Sequence, residues 1–308
     1  MIPNNYHFVF GLRKQTEPFH LMYYLCLRSC IEINQPDAIF FHYQNEPWGE
    51  WWDRIKPNLQ LKRIEPDQFI SEYKYKDTSL NQYKYAHLAD ITRLDILLNE
   101  GGIYADIDTL FLQPVPKDWF SRQFILGQEK SHVEDKISLC NAWIASEPNS
   151  SFCKYWLENI RLEFDGSWSN HSTLLPYRLA QKHTESINIE PSSSFYELDY
   201  TPKGIHNLFV RSVLLPKTSY SLHLWNHLWF DQKRTDFSCF NAKLLTPEYI
   251  RFANSTYAKH ARNFLPAGMG TSRIKYLKQK IAFLSMYWPW KFKQWLYKLK
   301  ELICKSKE

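Results

Sequence analysis

Asp106 and Asp108 are the residues from which chemistry can first be argued: two carboxylates one position apart, in Tyr104-Ala105-Asp106-Ile107-Asp108. In a regular strand, side chains i and i+2 point to the same face. Two hard oxygen ligands converging on one point suit Mg²⁺ or Mn²⁺, ions that keep positions open for a substrate's phosphate oxygens. The plain alternative is a solvated turn, because Asp-x-Asp is frequent by chance. Upstream, Asp90 and Arg93 lie three apart and are neighbours on one helix face. Without a substrate, that spacing is an intrahelical ion pair worth little when exposed. Far downstream, Ser221-Leu222-His223-Leu224-Trp225-Asn226-His227-Leu228-Trp229 offers two imidazoles, and a neutral imidazole is a good Mn²⁺ ligand. A strand with alternating residues would account for that pattern with no metal at all.

Positioning these groups requires a helix, a tight turn and a strand. His87, Ile91, Leu94 and Leu98 form one apolar stripe at helical spacing. Gly101-Gly102 then ends the helix in a left-handed conformation. Ile103-Tyr104-Ala105 reads as a short buried strand that delivers both carboxylates to its C-terminal end, where open α/β sheets bind ligands. Earlier, His7 to Gly11 reads as a buried first strand, residues 19–33 as a helix, Asp37 to Tyr43 as a second strand, and Leu59–Ile64 as a third. Strands alternating with helices predict a mostly parallel, doubly wound α/β sheet.

The 308 residues suffice for one large α/β domain, with or without a small appendage. A composition of 44% hydrophobic and 23% charged residues excludes a disordered or collagen-like chain. Aromatics reach 17%, as in proteins that stack on sugars, bases or lipid headgroups. Six cysteines form no CxxC pair, which predicts reduced thiols and a cytoplasmic compartment. Neither a signal peptide nor a spanning segment is expected.

Net charge is +6, but residues 273–308 hold ten Lys/Arg and two Glu, a net of +8. The remainder is therefore net −2, which argues against nucleic acid as a partner. Within that tail Ile274, Leu277, Ile281 and Leu284 make one apolar face. Phe292, Trp295, Leu296, Leu299, Leu302 and Ile303 make another, flanked by Lys291, Lys293, Lys298, Lys300 and Lys305. Two short amphipathic helices broken at Trp288-Pro289-Trp290 are expected, as an anchor on the anionic inner face of a membrane or packed on the protein itself. The expected division is a 1–270 domain and a 271–308 tail.

Ala86-His87-Leu88-Ala89-Asp90-Ile91-Thr92-Arg93-Leu94, followed by Gly101 to Asp108, resembles the DxD sugar-binding region of glycosyltransferase family 32. That family includes capsule and lipopolysaccharide transferases and OCH-type mannosyltransferases, and the block is also similar to α-1,4-galactosyltransferases. The strong match covers about thirty residues, a weaker one extends to about residue 230, and Ala89 stands where members often carry Ser. The resemblance implies a GT-A fold and a retaining, metal-dependent hexosyl transfer. The donor would be a nucleotide-sugar, UDP-linked or GDP-mannose, and the acceptor a glycan or lipid-linked saccharide. Asp106 and Asp108 would be catalytic through Mn²⁺ or Mg²⁺, with His223 completing the metal set and His227 as the alternative ligand. Phe10, Asp90, Arg93, Asp106, Asn141 and Asn226 would line the donor site, and Trp48 and Trp229 the acceptor site. Two competing readings remain at this level. One is a haloacid-dehalogenase-type phosphatase, which shares a strand-end Asp-x-Asp but lacks here its later acidic motif. The other is a non-catalytic, membrane-surface sugar-binding protein.

Overall fold

The computed structural model describes residues 1–65, 67–130, 137–230 and 239–305, with the side chains of 297–305 outside that description. The chain forms two compact units: residues 1–199 with 215–223, and residues 200–214 with 224–308. The sequence-based division at 270 follows charge, a different criterion from compactness.

The first unit is built on a seven-stranded sheet in the order β3-β2-β1-β4-β7-β6-β8. Its strands are β1 (Asn5–Phe10), β2 (Ala38–Tyr43), β3 (Gln60–Arg63), β4 (Gly102–Ala105), β6 (Phe124–Glu129), β7 (Ser138–Ser146) and β8 (Asn188–Glu190). Every pairing is parallel except those of β7, which runs antiparallel to both β4 and β6. The mostly parallel sheet expected from the alternating pattern is therefore present, with β7 as a reversed strand near its centre.

Two helices matter most to the site. Leu21–Asn34 links β1 to β2, and its first turn is capped by the His20 side chain accepting from the Met22 amide. Lys84–Glu100 precedes β4, and His87, Ile91, Leu94 and Leu97 on it are buried. Ile91, Leu94 and Leu97 share one core with Tyr104, Leu126, Ile144 and Trp156, which fixes how the helix lies on the sheet. Two glycines make the turn from this helix into β4. Gly101 has φ +65° and a Cβ there would lie 2.6 Å from Pro148 Cδ; Gly102 has φ +102° and a Cβ would lie 2.6 Å from the Asn5 carbonyl oxygen. Both positions therefore exclude a side chain on backbone and on space.

A separate two-stranded sheet pairs β5 (Thr109–Phe111) with β9 (Ser221–His223), antiparallel, with Thr109 opposite His223. The amide of Phe111 donates to Ser29 Oγ at 2.9 Å, tying this ribbon to the Leu21–Asn34 helix.

In the second unit, short helices surround an aromatic cluster of Phe209, Trp229, Phe240, Tyr249 and Tyr257. Its last element is one helix, Arg273–Lys305, with Pro289 inside it. The two helices expected from Trp288-Pro289-Trp290 are thus a single one. A lone proline removes one donor, and the turn before it is held by Tyr287, which is buried and stacked on His206 and Phe283. The inner face of this helix packs on its unit, whereas Ile274, Ile281, Trp288, Phe292 and Trp295 on its outer face are exposed. The side chains of Leu299, Leu302, Ile303, Lys298, Lys300 and Lys305 lie outside the described residues. No helix among the described residues is long and apolar enough to cross a membrane.

Candidate active site

The chain leaves β4 at Ala105, and residues 106–109 form a tight turn rather than the regular strand assumed from the i, i+2 spacing. The Thr109 amide donates to the Asp106 carbonyl at 3.0 Å, and the Asp106 amide donates to the Ala142 carbonyl of β7 at 2.8 Å. The carboxylates converge because the turn folds them together. Thr109 then enters β5, and its antiparallel register sets His223 beside them. His223 Nε2 lies 3.3 Å from Asp108 Oδ1 and 3.7 Å from Asp106 Oδ2. One ligand atom from each of the three residues lies within 4.8 Å of the others. Two carboxylate oxygens and one imidazole at that spread can ligate a divalent cation, so the residues fit such an ion.

Electrostatics agree with that fit. Burial pushes the Asp106 carboxyl above its ordinary value, against Arg93 and His223 and with help from Asp108. Burial alone would lower His223, but Asp108 and Asp106 outweigh it and raise the imidazole. Two close carboxylates and one imidazole in a desolvated pocket favour an added positive charge, from a proton or a metal ion.

Behind the turn lies a second network. Arg93 Nη1 is 3.3 Å from Asp106 Oδ1 and donates to the Asn141 carbonyl at 2.7 Å. Arg93 Nη2 is 3.2 Å from Asp90 Oδ1, and the guanidinium covers the Tyr104 ring. Asn141 Nδ2 donates to Asp90 Oδ1 at 2.7 Å. Burial works against the Asp90 charge, yet Arg93 and then His171 hold its carboxyl below the ordinary value. The 90/93 pair expected on one helix face is thus buried and linked to Asp106, not an exposed ion pair.

Two members of this network were absent from the sequence reading. His171 Nε2 is 2.9 Å from Asp90 Oδ2 on a ring that is fully buried. It sits on a wide helical turn, Asn170–Leu174, 81 positions from its partner, and no local pattern points to it. Tyr104 donates to Asp106 Oδ1 at 2.6 Å. The neighbouring Asp-x-Asp could have flagged Tyr104, two residues upstream.

Phe10 ends β1 in an edge-on cluster with Phe19 and Tyr23. Trp48 is half exposed, while its neighbour Trp52 is buried against Phe41. Asn226 and His227 belong to the second unit, half-buried and exposed respectively. Of the two histidines, His223 is the one the β5–β9 register brings to the carboxylates. Trp229, expected to touch acceptor, is a core residue of the second unit: it is 2% exposed, packs on Phe209 and Phe240, and donates from Nε1 to the Leu224 carbonyl.

The sheet is thus mostly parallel with one reversed strand, and it carries an Asp-x-Asp turn at the end of β4. Residues 25–130 match the family model described as a glycosyltransferase sugar-binding region containing a DXD motif. The glucan organizing enzyme 1 of Cryptococcus neoformans var. grubii is 30% identical over 282 residues, 86% of this chain and 71% of that protein. The human alpha-1,4-N-acetylglucosaminyltransferase is 22% identical over 185 residues, 55% of this chain and 52% of that protein. Among solved structures, the galactosyltransferase LgtC with donor and acceptor sugar analogs aligns at a TM-score of 0.47 and 10% identity, over 89% of this chain and 99% of that one. The chain belongs to the DXD-containing glycosyltransferase family. The phosphatase and the non-catalytic sugar-binding readings fall with that membership.

Proposed function

We propose that this enzyme transfers a hexose with retention, from a UDP-sugar or GDP-mannose to a glycan or lipid-linked saccharide in surface polysaccharide synthesis. The observation that carries the reading is the convergence of Asp106, Asp108 and His223 at the strand-end turn. In this reading these residues hold Mn²⁺, or Mg²⁺ in its place. The bound ion supplies Lewis-acid neutralisation of the negative charge that accumulates on the departing nucleoside diphosphate.

Asp108 and His223 would supply two of the ligands, and Asp106, oriented by the Tyr104 hydroxyl and the Arg93 guanidinium, the third. Arg93 also adds fixed positive charge beside the leaving group, in a desolvated setting where such charge is most effective. Asp90 accepts from donor-sugar or ribose hydroxyls, with Asn141 and His171 fixing its carboxylate. Phe10 forms a wall for the nucleobase, and the half-exposed Trp48 offers a stacking face to the acceptor. Front-face attack, with the leaving phosphate taking the acceptor proton, fits a site in which no carboxylate is assigned as nucleophile.

The basic helix supports a place on the cytoplasmic, anionic face of a membrane. Its exposed apolar stripe is flanked by Arg273, Lys275, Lys280, Lys291 and Lys293. Buried free thiols at Cys26, Cys30, Cys140 and Cys153 fit a reducing compartment.

A thermal-shift panel of UDP- and GDP-sugars with and without Mn²⁺ tests the reading. Stabilisation by one nucleotide class that requires the metal is the expected result. Equal stabilisation in the presence of chelator would overturn metal dependence.

A further inference from the structure

The second unit holds a cavity of about 410 Å³ beneath the Arg273–Lys305 helix. Its walls are Phe240, Phe252, Tyr276 and Phe283, with Leu277 and Leu284 along one side. Of its polar lining, Tyr249, Ser255 and Gln279 are already partnered, whereas the Tyr276 hydroxyl and the exposed Asn254 amide have no described hydrogen bond. The Tyr249 hydroxyl bonds the Phe209 carbonyl and Ser255 Oγ at 2.7 and 2.6 Å, and the Gln279 amide bonds the Leu244 carbonyl at 2.7 Å and the Thr246 hydroxyl at 2.9 Å. A sugar or nucleotide in this mostly aromatic and aliphatic space would leave most of its hydroxyls without partners, a cost that an alkyl chain does not incur. The volume falls within the ordinary range of small-ligand sites.

The mouth has a different chemistry. Arg273 and Lys280 are seven positions apart, so they stand on the same flank of the helix; both are exposed and both border the cavity. Leu277 lies between them, lines the cavity and is 46% exposed. Apolar surface therefore runs from the cavity past Leu277 to the outer stripe of Ile274, Ile281 and Trp288 on the same helix. Two cations at the mouth of an apolar slot call for an anionic head on a hydrocarbon chain.

We propose that this cavity takes one acyl chain of an anionic glycerophospholipid, with its phosphate held by Arg273 and Lys280. The site is distinct from the apolar stripe, which would lie on a membrane without admitting any single lipid. It depends on the membrane reading of the helix only for how the lipid arrives.

The test is native mass spectrometry of the full chain after exposure to detergent-solubilised phosphatidylglycerol or phosphatidylcholine, alongside sedimentation with vesicles of the same lipids. The expected result is one phosphatidylglycerol per chain, retained at least tenfold over phosphatidylcholine. Ala253, 5% exposed, lines the cavity, so Ala253→Leu fills part of it. That variant should lower occupancy at least fivefold and leave vesicle sedimentation unchanged. If Ala253→Leu also lowers the melting temperature, Leu284→Trp at the half-buried mouth replaces it with the same expectation. Arg273→Glu with Lys280→Glu should erase the preference for the anionic lipid. No retained lipid, unchanged occupancy in the filled variants, or equal retention of phosphatidylcholine overturns the proposal. Displacement of phosphatidylglycerol by a polyprenyl phosphate also overturns it, assigning the cavity to a lipid-linked acceptor. Lipid retained from micelles without vesicle sedimentation upholds the cavity and removes the membrane reading instead.

Discussion

Charge is handled in opposite ways by the carboxylate site of the first unit and the terminal helix of the second. Asp90, Arg93, Asp108 and His223 are each less than a tenth exposed, and short polar contacts hold them in one arrangement. Lys275, Lys278, Lys291 and Lys293, none of which lines the cavity, are exposed, and only Lys275 among them has a described carboxylate partner, Glu248 at 3.4 Å. Buried charge is costly unless matched in place, so each partner there is specified and each loss is expensive. Exposed charge on long side chains is screened and interchangeable, so what counts is its sum. In the function proposed above, the first region would recognise one substrate geometry and the second a diffuse surface.

The strongest way to break this contrast is Arg93→Met. It leaves Asp90 and Asp106 without their shared cation and should cost about 3–5 kcal/mol of stability, as breaking a buried pair does. Urea denaturation checks it, and Lys278→Gln on the helix should stay within about 0.5 kcal/mol. A loss in Arg93→Met no larger than in Lys278→Gln would erase the distinction.

Next comes Asp108→Asn, which keeps the shape but removes a charged ligand atom. Turnover should fall by about 10²–10³-fold, the scale at which a charge-stabilising group contributes. Mn²⁺-dependent stabilisation by nucleoside diphosphate should disappear with it. An active Asp108→Asn would detach the turn from the chemistry.

Acid should act most strongly on the first unit, although burial also lowers His206 and His260 in the second. Burial lowers His7 to about 4, His87 to about 4, and His42, beside His7 and Lys62, to about 3. The unfolded chain protonates these rings near pH 6.5, whereas the folded chain keeps them neutral. Stability therefore falls as pH drops from about 6.5 towards 4, by up to about 1.4 kcal/mol per pH unit for each ring. Denaturation midpoints at pH 7.5 and 5.0 measure this, and a flat profile would contradict the buried-neutral state.

His171→Ala removes one bond to Asp90 and should cost about 1–3 kcal/mol. Because Asp90 is then held less firmly, donor KM should rise more than kcat falls, a split that a purely structural loss would not produce. The smallest effect belongs to the helix: each lysine contributes on the order of 1 kcal/mol near an anionic surface, and salt screens it. Vesicle sedimentation of the full chain should therefore weaken progressively from low to high salt. Indifference to salt would mean that the apolar stripe acts alone.

The site was legible in the sequence where it is local. Asp90, Arg93, Asp106 and Asp108 lie within one helix-turn-strand block, whose apolar periodicity and Gly101-Gly102 punctuation place them without reference to the rest of the chain. The same is true of the basic helix, whose amphipathic spacing is a one-dimensional property, although the sequence broke it at Pro289. Tertiary structure alone decided the rest. Whether the carboxylates share a strand face or a turn depended on the Thr109 and Asp106 amide bonds. The choice of His223 over His227 came from the β5–β9 register, and the pairing of His171 with Asp90 from a contact 81 positions apart. Trp229 was expected at the acceptor site from the resemblance, yet it is 2% exposed, because aromatics look alike in sequence whether they face a sugar or a core. Local propensity and periodicity are written into neighbouring residues, but register, burial and long-range pairing arise only when distant segments exclude water together.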